Sequence, residues 1–153
     1  MMLRLALAAA HLLALGIGLG AVHGRARALR ELGRVPDALG RALRADVWWG
    51  IAAALWLSTG LWRVFAGTEK GSGYYWSNPV FHAKLGLFVL IFLLELRPMI
   101  TLTRWRRAGR DADPATLAPV GRSLAATSDV QTVLLVLIVV AATAMARGYG
   151  ARP

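Results

Sequence analysis

An all-α integral membrane bundle of four helices is the fold class this sequence predicts, and three observations predict it. The chain has 153 residues and is 57% hydrophobic, above the soluble norm. Its apolar residues fall in four runs, at 3–23, 47–65, 80–102 and 124–146, and all but the shortest reach the length needed to cross a bilayer core. The Arg residues crowd into two of the connecting segments and avoid the third. In lipid each run must be helical, because open backbone groups would find no water to bond. The four runs form a single domain over 1–153.

The first run is interrupted only by Arg4 and His11. A charged start followed by apolar and small residues has the outline of a signal peptide. The run is long for a signal, however, and a dense basic segment follows at once, so a retained helix is expected. Gly16, Gly20 and Gly24 lie four residues apart. This doubled small-xxx-small pattern, widened by Gly18, predicts close packing inside the bundle or at a dimer contact, with Thr59-Gly60 as a partner surface. The segment after it carries Arg25, Arg27, Arg30, Arg34, Arg41 and Arg44. Within it, 25–32 and 37–43 read as helical and break near 33–36, which predicts a short basic amphipathic helix on the inner membrane surface.

The second run opens after Asp46, an acid expected to favour a helix N-terminus. Asn78-Pro79 predicts the start of the third helix, a capping side chain followed by Pro at the first helical position. Arg97-Pro98 is expected to kink or loosen its far end. The segment 108–120 is rich in Pro and Ala and is expected to be less regular. Asp129, close to the start of the fourth run, is either another N-terminal acid or a functional group.

Charge sets the orientation. The first loop and the loop with Arg104, Arg106, Arg107, Arg110 and Arg122 are basic, whereas the middle loop has only Lys70 beside Glu69. The positive-inside rule puts the two basic loops in the cytoplasm, and hence the middle loop and both termini in the periplasm of a bacterial inner membrane. Trp48, Trp49 and Trp105 then lie at the inner edge, and Trp62 and Trp76 at the outer edge, with Trp56 the exception in mid-membrane. The net charge of +10 is read as topology and as attraction to anionic lipids at the cytoplasmic face, not as nucleic-acid binding. The absence of Cys excludes disulfides, thiolate metal sites and thiol catalysis.

An ionisable residue inside a membrane is costly and is a functional candidate. His11 lies near the middle of the first span, and the alternative reading for it is a neutral imidazole bonded to a carbonyl or hydroxyl on a neighbour. His23, at the inner edge, reads as an interfacial residue. His82 and Lys84 open the third span; Lys84 is one of only two lysines and either snorkels to the surface or pairs with a carboxylate. Glu95 follows three turns later on the same face, at the level of Asp129. Histidines in a four-helix bundle suggest haem b, with His11 and His82 as metal ligands. At about 1.5 Å per residue His11 should lie about 10 Å deeper than His82, so a haem held by one axial His is as open as a haem bridging both.

These residues together resemble the HemJ-type protoporphyrinogen IX oxidases. In that family a first-helix His is followed by Gly and Arg, matched here by His11, Gly20 and Arg27. The third helix opens with His-x-Lys-Leu, matched by His82-Ala83-Lys84-Leu85, and the second carries Thr59-Gly60-Leu61-Trp62. The fourth begins Asn-Glu-x-Pro-Thr, where this chain has Ser128-Asp129-Val130-Gln131-Thr132. The resemblance implies a haem held by His11, Arg27, His82 and Lys84, with Lys84, Glu95 and Asp129 as catalytic groups. The segment from Gly67 to Pro79 departs from that pattern and is similar to a neighbouring bacterial family, also four-helix membrane proteins, known only as a domain of unknown function.

The expected function is therefore a haem-binding redox role resembling the porphyrinogen oxidases. The alternative is a non-enzymatic packing or assembly partner, as a homodimer or in a larger membrane complex. Copper transport ranks last, since the chain has four Met and no Cys where soft metals prefer those ligands. No nucleotide-binding loop or Ser-His-Asp order supports an ATPase or a hydrolase.

Overall fold

The structure, a computed structural model, describes residues 2–65, 76–109 and 113–149, apart from the side chains of Arg63 and Val64. Glu69, Lys70, Tyr74, Tyr75 and Arg110, all used in the sequence reading, lie outside the described residues. Four helices make up the fold: α1 (Met2–Arg30), α2 (Ala38–Phe65), α3 (Pro79–Ala108) and α4 (Pro114–Ala146). Among the described residues there is no strand. α1, α3 and α4 are each long and apolar enough to cross a membrane. α2 is not among them; its predicted span, 47–65, gives four positions to Trp and two to Ser58 and Thr59, which dilute its apolar character.

The helices form the neighbour order α2, α1, α4, α3. α1 packs along both α2 and α4, α4 packs along α3, and α2 and α3 scarcely touch. Large apolar side chains such as Leu12, Leu13, Phe92, Val133 and Val140 point outward, as lipid-facing positions do. Two clusters of buried side chains divide the interior. One lies at the Arg-rich end and joins Leu29, Leu32, Ala38, Ala42, Leu102, Trp105 and Leu124. The other joins Ala14, Val22, Trp49, Trp56, Ile91 and Leu135 further along the bundle.

The amphipathic surface helix is not there. Both stretches of the first basic segment are helical, but 25–30 is the end of α1 and 38–46 is the start of α2. Their apolar stripe (Leu29, Leu32, Ala38, Ala42) is buried against α3 and α4, so the chain extends the bundle rather than lying on a surface. Gly33, at φ +75°, takes the left-handed conformation in the turn between them and sits where a Cβ would come 3.1 Å from the Ala115 Cα. The segment 108–120 is also more regular than expected. α4 begins at Pro114, capped by Asp113, whose carboxylate accepts from the Ala115 amide at 3.0 Å. Asp129 and Asp46 therefore lie inside their helices, not at the N-termini.

The start of α3 is as the sequence predicts. The Asn78 side chain accepts from the Val80 amide at 2.9 Å, and Pro79 takes the first turn. Asn78 is buried, and its amide nitrogen donates to the Tyr149 carbonyl at 3.4 Å, tying this end of α3 to the end of α4. α3 runs on through a buried Pro98 to Ala108.

Candidate functional site

Two polar centres stand inside the bundle. The first, near the Arg-rich end, is built on Arg25, whose side chain is fully buried. A guanidinium has five N–H donors, and here every one is used. Nε donates to Ser128 Oγ at 3.2 Å. Nη1 donates to Asp46 Oδ1 at 2.9 Å and to Glu95 Oε1 at 2.7 Å. Nη2 donates to Glu95 Oε2 at 2.8 Å and to Gln131 Oε1 at 2.9 Å. The Glu95 pair is thus bidentate, the strongest geometry for these groups.

The partners are themselves held. Gln131 Nε2 donates to Glu95 Oε2 at 2.8 Å and to the Ile91 carbonyl at 3.3 Å. Ser128 Oγ donates to the Leu124 carbonyl at 3.0 Å. Arg106 donates to the other Asp46 oxygen at 3.2 Å and to the Leu43 carbonyl at 3.3 Å. All four helices meet in this knot, and two cations face two anions. Charge balance with filled hydrogen-bonding capacity is the condition under which buried ions are tolerated.

The second centre is a cavity of about 230 Å³ toward the opposite end, between α2 and α3 and backed by α1 and α4. Its lining is aromatic and aliphatic (Trp56, Phe65, Trp76, Phe81 and Phe88 among others), and it includes His11 and Lys84. His11 Nδ1 lies 2.9 Å from Thr59 Oγ1. The Thr59 hydroxyl donates to the Leu55 carbonyl at 2.6 Å, so its oxygen accepts and His11 Nδ1 carries the proton. This is the alternative reading of His11, an imidazole bonded to a hydroxyl on a neighbouring helix. Gly60 makes room for it, since a Cβ there would come 3.3 Å from His11 Cε1. His11 and Phe88 both pack on Trp56, with ring centroids at 5.8 and 5.6 Å. His11 is therefore level with Phe88, about 9 Å below His82 at about 1.5 Å per residue.

The candidates separate accordingly. His11 and Lys84 share the cavity. His82 is exposed, is not among the lining residues, and bonds through Nε2 to the Trp76 carbonyl at 3.0 Å. Glu95 belongs to the Arg25 knot. Asp129 pairs with Arg30 at the surface. Arg27 is 78% exposed and pairs with Glu31 one turn on. The arrangement does not bring His11 and His82 to one haem, and the cavity is smaller than the roughly 300–1,000 Å³ of pockets that enclose a drug-sized ligand. Among the described residues no cluster of three or more His, Cys, Asp or Glu is placed to hold a metal ion.

Arg25, Ser128 and Gln131 carry the knot, and their chemistry was missed by the sequence reading. The signal was helical phase. Val22, Arg25, Ala26 and Leu29 follow the i, i+3, i+4, i+7 rule of a buried stripe, and Arg27 and Arg30 do not. Leu124, Ser128, Gln131 and Leu135 repeat the pattern on α4.

No curated protein and no solved structure matches the chain, and nothing links it to the HemJ-type oxidases. Over residues 3–150, from the first span through the knot and the cavity to the last turn of α4, the chain belongs to the family described as Predicted membrane protein (DUF2214).

Proposed function

We propose that this membrane protein takes a small lipophilic ring compound from the bilayer into the cleft between α2 and α3. The observation that carries this reading is an aromatic cavity inside a membrane bundle that holds two costly polar side chains, His11 and Lys84. Such a pocket with few convergent polar groups is the usual form of a ligand site. The outward-facing lining residues Leu57, Leu61 and Leu85 are exposed, so the cleft opens to lipid and a ligand larger than the cavity can leave part of itself in the bilayer.

Native mass spectrometry of the detergent-solubilised protein tests this. A small molecule retained by the wild type and lost from Gly60→Leu, which fills the cleft and presses on His11, is the expected result. Equal retention by both, or none by either, overturns it. Haem b held by His11 alone is the redox form of the reading, and its support is the His11 imidazole on the cavity wall. Protein purified with haem supplied should then show a Soret band that His11→Ala removes and His82→Ala leaves. A band indifferent to His11→Ala, or no band, ends the haem form.

A second reading, self-association, is favoured by Gly16, Gly20 and Gly24, around whose Cβ positions there is open space. Only Gly18 is used inside the bundle, against Trp49 and Ala52. Because the chain has no Cys, Gly20→Cys gives a clean disulfide cross-link between copies if this face is a dimer contact, and a monomer on a non-reducing gel if it is not. The orientation proposed is the Arg-rich end in the cytoplasm of a bacterial inner membrane, against anionic lipid. Arg34→Cys should then be shielded from an impermeant thiol reagent in intact cells.

A further inference from the structure

We propose that the groove between α3 and α4 near the Arg-rich end holds the phosphate of one anionic phospholipid, clamped by Arg97 and Arg104, with an acyl chain along Leu90, Leu93 and Val130. This rests on the reading of the Arg-rich end as lying against anionic lipid, and it names the place where one such lipid is held.

Arg97 is an exposed residue of α3, and its Nη1 donates to Ser123 Oγ on α4 at 3.0 Å. That bond fixes the guanidinium in the groove between the two helices. Serine is neutral, however, and among the described residues Arg97 forms no ion pair. Its depth makes this costly. Counted from Pro79, a hydrocarbon core about 30 Å thick takes up about 20 residues of helix, which puts Arg97 at the far edge of the core. A cation at that level calls for an anion. Glu95, two residues away and so on nearly the opposite face of α3, is committed to Arg25. The anion that a bilayer itself supplies at the edge of its hydrocarbon is the lipid phosphate.

Arg104 is seven residues further on, on the same face of α3 and about 10 Å along the axis. It is exposed, and among the described residues it too forms no ion pair. Helical side chains lean toward the N-terminus of their helix, which brings Arg104 back toward Arg97. Two arms of that length can meet on one phosphate, whose oxygens match the guanidinium fork. The stripe of α3 through Arg97, Thr101 and Arg104 carries no carboxylate, and neither does the facing stripe of α4 through Thr116, Val120 and Ser123. A headgroup ammonium therefore finds no partner here, which favours a net negative headgroup over a zwitterionic one. Toward the membrane centre Leu90 and Leu93 of α3 and Val130 of α4 are exposed and offer a surface to an acyl chain. Basic pockets between helices at this level are a usual seat for anionic headgroups.

The test uses the full-length protein in detergent, with dioleoyl phosphatidylglycerol, dioleoyl phosphatidylcholine and soluble glycerol phosphate as probes, read by native mass spectrometry. Phosphatidylglycerol should bind at least tenfold more tightly than phosphatidylcholine, and glycerol phosphate at the same concentration should not displace it. Arg97→Gln and Arg104→Gln should each weaken phosphatidylglycerol binding about tenfold. Arg122→Gln removes the same charge beside Ser123 but on another face of α4, and should weaken binding less than twofold. Equal weakening by Arg97→Gln and Arg122→Gln overturns the clamp and leaves a general attraction to anionic lipid. Equal binding of the two lipids overturns that attraction and the clamp together. Displacement by glycerol phosphate at equal concentration assigns the groove to a free anion and overturns the lipid. Arg104→Gln breaks no ion pair among the described residues, so it decides the matter even where Arg97→Gln does not fold.

Discussion

Arg25 and Arg27 are two residues apart and have opposite physical roles. Removing the Arg25 guanidinium leaves Glu95 and Asp46 partly buried without their shared cation, a defect that costs about 3–5 kcal/mol. Arg25→Ala should lose that much in a denaturation series in detergent, whereas Arg27→Ala, an exposed pair, should change stability by less than about 0.5 kcal/mol. Arg25→Lys should fall between them, because three ammonium protons cannot replace five fixed donors. Glu31, in the turn after α1, makes a pH-dependent contribution. Partial desolvation favours its neutral form, but hydrogen bonds and charge from Arg27 and Arg41 outweigh this and hold its pKa below the ordinary carboxylate value. Its contribution is then fully present above the unfolded-state pKa and is lost as the pH falls through the lowered folded-state value. Thermal melting followed across the acid range should show a shallower acid loss in Glu31→Gln than in the wild type.

At the scale of the helix, the glycines test the packing order. A Cβ on Gly121 would meet the Leu29 carbonyl oxygen at 3.0 Å and Leu32 Cδ1 at 2.5 Å, and the backbone oxygen can give way only if α1 and α4 separate. Gly121→Ala should therefore destabilise by about 1–3 kcal/mol. Gly20→Ala meets nothing and should gain up to about 1 kcal/mol from helix propensity in the monomer. Paired unfolding curves of the two variants check both. Helix phase also explains what was legible in the sequence. Apolar run length and the Asn78-Pro79 cap located the spans and the start of α3, because both signals are local. The fate of the first basic segment was not legible from charge density, because its apolar stripe was outnumbered by Arg while still facing the core. The partners of His11 and Arg25 were also hidden. Thr59, Glu95 and Gln131 reach them from other helices, and one sequence does not show which helices are neighbours.

Across the whole molecule, the two polar centres lie at opposite ends of one seam. α2 and α3 scarcely pack on each other. Arg106 bonded to Asp46 and the Leu43 carbonyl, together with the Arg25 knot, joins them near the Arg-rich end, and the aromatic cleft lies between them further along. Arg106→Ala should therefore loosen the α2–α3 contact more than it changes α1 against α4. Spin labels on α2 and α3 should show a broadened distance distribution in this variant, while a pair on α1 and α4 should keep its wild-type width.

The filling of all five Arg25 donors from three other helices also sets a timetable for making the protein. When α1 leaves the ribosome, Glu95, Ser128 and Gln131 have yet to be translated, and a lone guanidinium resists entering hydrocarbon. The nascent first helix must wait with Arg25 at the interface, take Asp46 as its first counter-ion, and settle to its final depth only when Glu95 arrives. A chain stopped after residue 75 should stay shallow, with Val22→Cys open to aqueous reagent, and the full chain, in which Val22 is fully buried, should protect it.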